Sequence, residues 1–349
     1  MARRPSSSSA AAAFARAYQR GMNTLTKATL RNGRRIAGQL QRAAAEHLKP
    51  PRGPGDWLAG VALGPGGARR YHLYRPPEMQ AGERLPLLVM LHGCGQTGRD
   101  FAASTRMNLL AARERFFVLY PEQDRLAHPQ GCWNWYDRRT GKADAEAATL
   151  MAAIDQACVL YPADRERVAV AGLSAGAGMA ALMATRYPAR FKAVAMHSGV
   201  APGAARSPAT ALGAMRGRHV PPMPATAVGK AMGAAAVFST LPPLLVLHGD
   251  ADLVVSASNA MSAAEVWATA TGAKPGIERT VQRGKRHPMR VTEFKRGGRI
   301  FVRLCEIAGL GHAWSGGAPR LPFSDAPGPN PTRLIWAFVS RQFKAAAAS

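Results

Sequence analysis

The chain has 349 residues, 47% of them hydrophobic and 19% charged, which is enough apolar material for a sizeable core and excludes disorder throughout. No run approaches the roughly 18 uninterrupted apolar residues that a membrane-spanning helix needs. Lysine and arginine outnumber aspartate and glutamate by 46 to 21, a net charge of +25 that favours anionic surfaces. No zinc-finger spacing, RNP-like aromatic motif or helix-turn-helix pattern accompanies that charge, so generic basicity is expected rather than specific nucleic-acid recognition.

In chain order, residues 1–55 read as a basic arm, rich in Ala, Arg and Ser, nearly devoid of acid, and closed by the linker-like KPPRGPG. Within it Phe14, Tyr18, Met22, Leu25, Ile36, Leu40, Ala44 and Leu48 recur mostly at three- or four-residue steps among arginines. That pattern fits a basic amphipathic helix able to contact an anionic membrane or granule surface, and equally a solvated, disordered arm. No apolar stretch of the kind found in secretory signals follows Arg3 and Arg4.

Residues 56–345 read as one folded body. RRYHLYRP (69–76) alternates like a strand, and LPLLVMLHG (85–93) is a continuous apolar run suited to a strand buried on both faces. A helix is expected over 100–114, a strand at FFVLYP (116–121), a helix over 143–160, a strand at RVAVAG (167–172) and a helix over 175–187. FKAVAMHSG (191–199), PLLVLHGD (243–250) and RIFVRLCEIAG (299–309) complete the strands. Such alternation predicts the α/β class with a doubly wound, mainly parallel sheet. The Pro-, Gly- and Met-rich stretch 199–240 interrupts it as an irregular, cap-like insertion placed to contact substrate.

The four cysteines, at 94, 132, 158 and 305, form no CxxC pair, so thiol-based metal ligation is not expected. Cys158 and Cys305 fall in regular elements and read as core thiols; Cys94 and Cys132 fall in loop-like motifs and are candidates to pair.

The chemistry-bearing signal is Gly172-Leu173-Ser174-Ala175-Gly176, a GxSxG arrangement between a strand and a helix. Tiny neighbours allow a strained turn that lifts a serine hydroxyl over the sheet edge, the nucleophile elbow of an α/β-hydrolase. A serine hydroxyl needs a histidine base oriented by a carboxylate, and in this fold the chain order is Ser, acid, His. LLVLHGDADLVV offers Asp250 and Asp252 after a later strand, and physical reasoning alone does not separate them. GLGHAWSGG offers His312, whose flanking glycines let a loop curl over the sheet edge. His287 lies in a basic segment, and His248 reads as structural. An oxyanion hole would use the amides of Ala175 and, in the MLHGCGQTG loop, Cys94.

Together LPLLVMLHGCGQ, YPEQ with QGCWNWYD, RVAVAGLSAGAGMA, HGDADLVV and GLGHAWSGG resemble the PHB depolymerase family of serine esterases, from about Arg69 to Phe343. The resemblance implies Ser174 as nucleophile, Asp252 as acid and His312 as base. It also implies Cys94 as an oxyanion-hole donor with Cys132 as its disulfide partner, and a mechanism that needs no metal or organic cofactor. Trp133, Trp135 and Trp314 are expected to line an apolar groove for a short-chain polyester or oligoester. Gly95 stands where the family commonly has Thr, and Ser315 where it often has Pro. Because the chain ends in KAAAAS without a polymer-gripping domain, a soluble oligoester is the expected substrate. Export is common in the family and implies an extracellular location, whereas the N-terminus leaves a cytoplasmic one open. Two other readings stand beside this: a carbohydrate-acyl esterase of the acetylxylan or feruloyl type, and a granule- or nucleic-acid-binding protein working through the arm.

Overall fold

A computed structural model describes residues 50–51, 53–218 and 241–347. The chain divides into two compact units, Met1–Pro50 and Pro51–Ser349. The expected amphipathic helix of the arm and the 219–240 part of the insertion lie outside the described residues.

The second unit is built on a sheet whose central strands are β3 (Leu85–Leu91), β4 (Phe117–Pro121), β5 (Ala163–Leu173), β6 (Ala193–His197), β7 (Leu244–Gly249) and β11 (Arg299–Ile307), running parallel in the order β4-β3-β5-β6-β7-β11. Antiparallel strands extend both sides. β1 (Asp56–Gly64) and β2 (Gly67–Arg75) flank β4, while β10 (Met289–Arg296) flanks β11 and carries the short β8 (Lys274–Pro275) and β9 (Arg279–Val281). A two-stranded ribbon, β12 (Trp314–Ser315) with β13 (Ser324–Asp325), lies apart from the large sheet.

The apolar runs are continuous because each central strand is covered on both faces. Leu87, Val89, Leu91, Val170 and Val246 pack in a cluster with residues of α3 (Lys142–Leu160), α4 (Ala175–Arg186) and α6 (Ser258–Thr271). Leu88, Met90, Val118, Ala171 and Leu247 face the other way, toward α1 (Gly98–Thr105), α2 (Met107–Glu114) and α7 (Pro331–Ala347). Every residue of β3 and β7 is buried. At about 1.5–3 kcal/mol for each fully buried large aliphatic side chain, this layer dominates the favourable side of folding.

Several elements depart from the sequence reading. The single helix expected over 100–114 is two, because Arg106 adopts a left-handed conformation (φ 54°, ψ 29°) that closes α1 and opens α2. β1 was not legible, since Val61 and Leu63 are exposed in it and the apolar side of its pattern does not face the core. β10, α6 and α7 were also not anticipated, and α5 (Pro208–Met215), started by a Ser207/Thr210 capping box, stands in what read as an irregular insertion. Among the described residues no helix is long and apolar enough to cross a membrane.

Candidate active site

β5 and α4 meet at Ser174, whose backbone sits at φ 56°, ψ −119°. For a residue with a Cβ this is a strained conformation, costing on the order of 1–3 kcal/mol unless its surroundings enforce it. They do. A Cβ on Gly172 would lie 2.2 Å from the backbone of Gly176, and a Cβ on Gly176 would lie 2.1 Å from the carbonyl oxygen of Leu91. Helix and strands therefore approach to a distance only hydrogen can occupy. The Ser174 amide donates to the His197 carbonyl at 2.9 Å, and the Ser174 carbonyl accepts from Ala177 and Gly178 at 3.0 and 3.1 Å, which starts α4. Ala175 is the first residue of that helix, so its amide belongs to the positive helix end.

Asp252 and His312 are brought together across 60 residues of chain. Nδ1 of His312 lies 2.7 Å from Oδ2 of Asp252, which leaves Nε2 of the ring for other work. The carboxylate is buried, and its second oxygen accepts the amides of Val254 and Val255 at 2.9 and 2.8 Å. His248, also buried, directs Nε2 at the Val255 carbonyl (2.9 Å) and lies 3.4 Å from Oδ2 of Asp252, the oxygen that faces His312. Burial alone would raise the Asp252 pKa. The hydrogen bonds from His248 and His312, the charge of His312 and the Val255 amide outweigh that and hold the carboxyl well below the usual range, so it is ionised. Asp250, by contrast, is exposed and accepts the Gly309 amide at 2.7 Å, a loop-fixing role. His287 faces Asp325 at 3.6 Å, on a different carboxylate.

His197 links the two halves, and no sequence pattern singled it out. Its carbonyl holds Ser174; its Nε2 accepts the amide of Ser315 at 3.3 Å, three residues beyond His312, so the ring proton sits on Nδ1 beside the Ser198 hydroxyl at 3.1 Å. The ring is buried and stacks on Trp314, with centroids 5.0 Å apart. Burial, then the neighbouring His248 and His312, push its pKa down to about 3 against the opposing pull of Asp252, so it is neutral. Since β5, β6, β7 and β11 are parallel neighbours, the loops bearing Ser174, Asp252 and His312 leave the same edge of the sheet.

The loop after β3 lies against the serine: a Cβ on Gly93 would be 3.6 Å from that of Ser174. The Gly93 amide donates to Oε1 of Gln96 at 3.0 Å and the Gly95 amide to the Gln130 carbonyl at 2.9 Å, whereas the Cys94 amide between them has no acceptor among the described residues. Cys94 is disulfide-bonded to Cys132, and Trp133 donates its indole N–H to the His92 carbonyl at 2.9 Å, so the two loops are fastened at adjoining points. The second loop is in turn anchored on a buried polar network. Glu146 accepts from Asn134 through backbone (2.9 Å) and side chain (2.6 Å) and from Gln123 (2.8 Å), while Arg69 stands 3.8 Å away. Only the tertiary contacts disclose it, because Arg69, Gln123 and Glu146 come from three separate elements. Cys158 and Cys305 are free and buried, and burial pushes the Cys305 thiol up to about 12.

The tryptophans correct the expectation. Trp133 and Trp314 are fully buried, and their indole N–H groups are taken by the His92 carbonyl and by the Thr332 hydroxyl at 3.3 Å. Neither has a face left for a ligand; they pack the supports of the rim. Trp135 alone is half-buried, against α4.

A parallel sheet covered on both faces, with a strained serine turn and an Asp–His pair at one edge, is an α/β-hydrolase. The chain belongs to the esterase PHB depolymerase family, whose model matches residues 69–276, a span that includes Ser174 and Asp252 and ends before His312. Among curated relatives, poly(3-hydroxyalkanoate) depolymerase C of Paucimonas lemoignei is 30% identical over 231 residues, covering 65% of this chain and 54% of that protein. Feruloyl esterase B of Neurospora crassa is 32% identical over 134 residues, covering 38% of this chain and 44% of that protein. The chain thus spans about half the length of these relatives. In structure it is similar to an acetyl xylan esterase from Aspergillus awamori, with a TM-score of 0.66 at 19% identity over 82% of this chain and 100% of the other, a likeness of fold.

Proposed function

We propose that the protein is a carboxylic ester hydrolase acting through an acyl-enzyme, with Ser174 as nucleophile, His312 as general base and acid, and Asp252 as the group that orients the imidazole. The observation that carries the reading is the 2.7 Å bond from His312 Nδ1 to an ionised, buried Asp252 on the rim that also bears the strained Ser174. Nε2 of His312 accepts the hydroxyl proton as the serine oxygen bonds to the ester carbonyl carbon. The amides of Cys94 and Ala175 receive the negative oxygen of the tetrahedral intermediate. Collapse breaks the bond to the alcohol, which leaves with the proton from His312. Water then repeats the sequence and frees the acid.

The substrate class that the family supports best is a short-chain hydroxyalkanoate polyester or its oligoesters, with Trp135, which stands against Gly178 one turn along α4 from the serine, as an apolar wall. A carbohydrate-acyl ester is the second reading, favoured by the feruloyl and acetylxylan esterases among the relatives. A fluorophosphonate probe is expected to label Ser174, and Ser174→Ala to lose both labelling and p-nitrophenyl butyrate turnover, by about 10⁶-fold in kcat, with unchanged circular dichroism. Turnover retained by the alanine variant refutes the assignment. Release from 3-hydroxybutyrate oligomers compared with release from acetylated xylan separates the two substrate classes.

A further inference from the structure

The two carboxylate oxygens of Asp252 have separate partners. Oδ1 accepts the Val254 and Val255 amides at 2.9 and 2.8 Å, and Oδ2 faces Nδ1 of His312 at 2.7 Å. A third group faces Oδ2 as well: Nε2 of His248, 3.4 Å away and four residues earlier, on β7. The backbone of the two loops does not depend on this ring. A Cβ on Gly249 would lie 2.0 Å from the Leu310 carbonyl oxygen, and the Asp250 and Ala251 amides donate to the Ile307 and Leu310 carbonyls at 3.1 Å each. Main chain therefore brings Asp252 to His312. It leaves open the rotation of the carboxylate, whose terminal torsion is soft, because amides pin only one of its oxygens.

His248 supplies a second fixed point. Its Nε2 lies 2.9 Å from the Val255 carbonyl, which can only accept, so the ring proton is on Nε2 and the ring is tied to the turn whose amides hold Oδ1. Nδ1 is then an unprotonated acceptor, and it is buried without a partner among the described residues. Such a group costs free energy that an apolar side chain of similar length would not. Packing thus gives no reason for a histidine here, and the one directed group it offers is the N–H beside Oδ2. Of the other ionisable groups nearby, His197 spends its two ring nitrogens on Ser315 and Ser198, and Asp250 accepts the Gly309 amide.

We propose that His248 is a positioning residue for ester hydrolysis: its Nε2–H braces Oδ2 of Asp252, so that the carboxylate keeps the imidazole of His312 turned with Nε2 toward Ser174. An oxygen that takes two N–H donors stays within the capacity of an ionised carboxylate. The proposal rests on the esterase reading above and adds a side chain to it. His248 exchanges no proton in the reaction. Its contribution passes through Asp252 alone, which separates it from a residue that merely fills space.

The test uses the full chain, p-nitrophenyl butyrate and the fluorophosphonate probe. His248→Met removes the donor at similar length, and kcat is expected to fall about tenfold with KM unchanged, as the loss of one hydrogen bond to a charged group gives. Labelling of Ser174 should slow by the same factor. His248→Gln, whose Nε2–H can reach the same place, is expected to keep kcat within about threefold of the parent. In the Asp252→Asn background the methionine replacement should change kcat by less than about twofold, since the carboxylate it acts on is gone. The urea midpoint of His248→Met should stay near the parent's, because one unpaired acceptor, Nδ1, is exchanged for another, the Val255 carbonyl. A methionine variant with full rate overturns the proposal, and so do equal losses in His248→Met and His248→Gln. The same loss in the asparagine background overturns it too, as does a methionine variant that no longer unfolds cooperatively. Any of these results with an active parent leaves the esterase reading standing. A parent that neither turns over the ester nor labels at Ser174 overturns both.

Discussion

Around Ser174 the constraint is the backbone itself: a Cβ on Gly172 would lie 2.2 Å from the backbone of Gly176, and one on Gly176 2.1 Å from the carbonyl oxygen of Leu91. Asp252 and His312, by contrast, are 60 residues apart and are joined by side-chain hydrogen bonds, with His248 and two amides behind them. The first arrangement is steric and built from neighbours in sequence. The second is electrostatic and exists only once β7 and β11 lie side by side. A steric device fails by unfolding when disturbed, and an electrostatic one fails by losing rate while the fold survives.

That contrast can be broken by experiment. Asp252→Asn is expected to lower kcat on p-nitrophenyl butyrate by about 10⁴-fold, because an amide cannot stabilise the imidazolium or enforce the same tautomer. Urea unfolding should show the body still cooperative. A loss below tenfold would mean that Asp252 does not serve His312 in the reaction.

Gly176→Ala should show the opposite character. One added methyl has nowhere to go between α4 and β3, so about 3 kcal/mol of unfolding free energy is expected to disappear. Stability equal to the parent in urea would show that helix and strand can part, and the steric account of the turn would fall.

His197 joins the two regions, and its effect is read only as pH changes. It stays neutral in the fold down to about pH 3, whereas in the unfolded chain it takes up a proton near 6.5. Between those values the unfolded state binds the extra proton, so stability is present above pH 6.5 and is lost as pH falls toward 3, by up to about 1.4 kcal/mol per pH unit. His197→Gln should have a shallower dependence over that window, by up to one proton. An unchanged slope would show that this ring is not held neutral in the fold.

Much of the central sheet was legible because strands buried on both faces are written as uninterrupted apolar runs, as in residues 85–91 and 244–249. The turn at Ser174 was legible for a related reason, since close backbone approach demands glycine and alanine. β1 was not, as its apolar residues Val61 and Leu63 point to solvent. The tryptophans failed differently. Trp133 and Trp135 are two positions apart in one loop, and nothing in their spacing tells that the first is fully buried with its N–H bound while the second borders a cleft.

By itself the order of residues determined the α/β alternation and the serine turn, because each is imposed by chain-local sterics or by periodic burial, and it put candidate aspartates and a histidine in later loops. Tertiary structure alone decided that His197 bridges the rim and that Trp133 and Trp314 are fully buried, and it gave the physical ground on which Asp252 rather than Asp250 meets His312. Those outcomes depend on which strands become neighbours and on which polar groups find partners once water is excluded, and such pairings join residues too far apart in the chain for any local pattern to record.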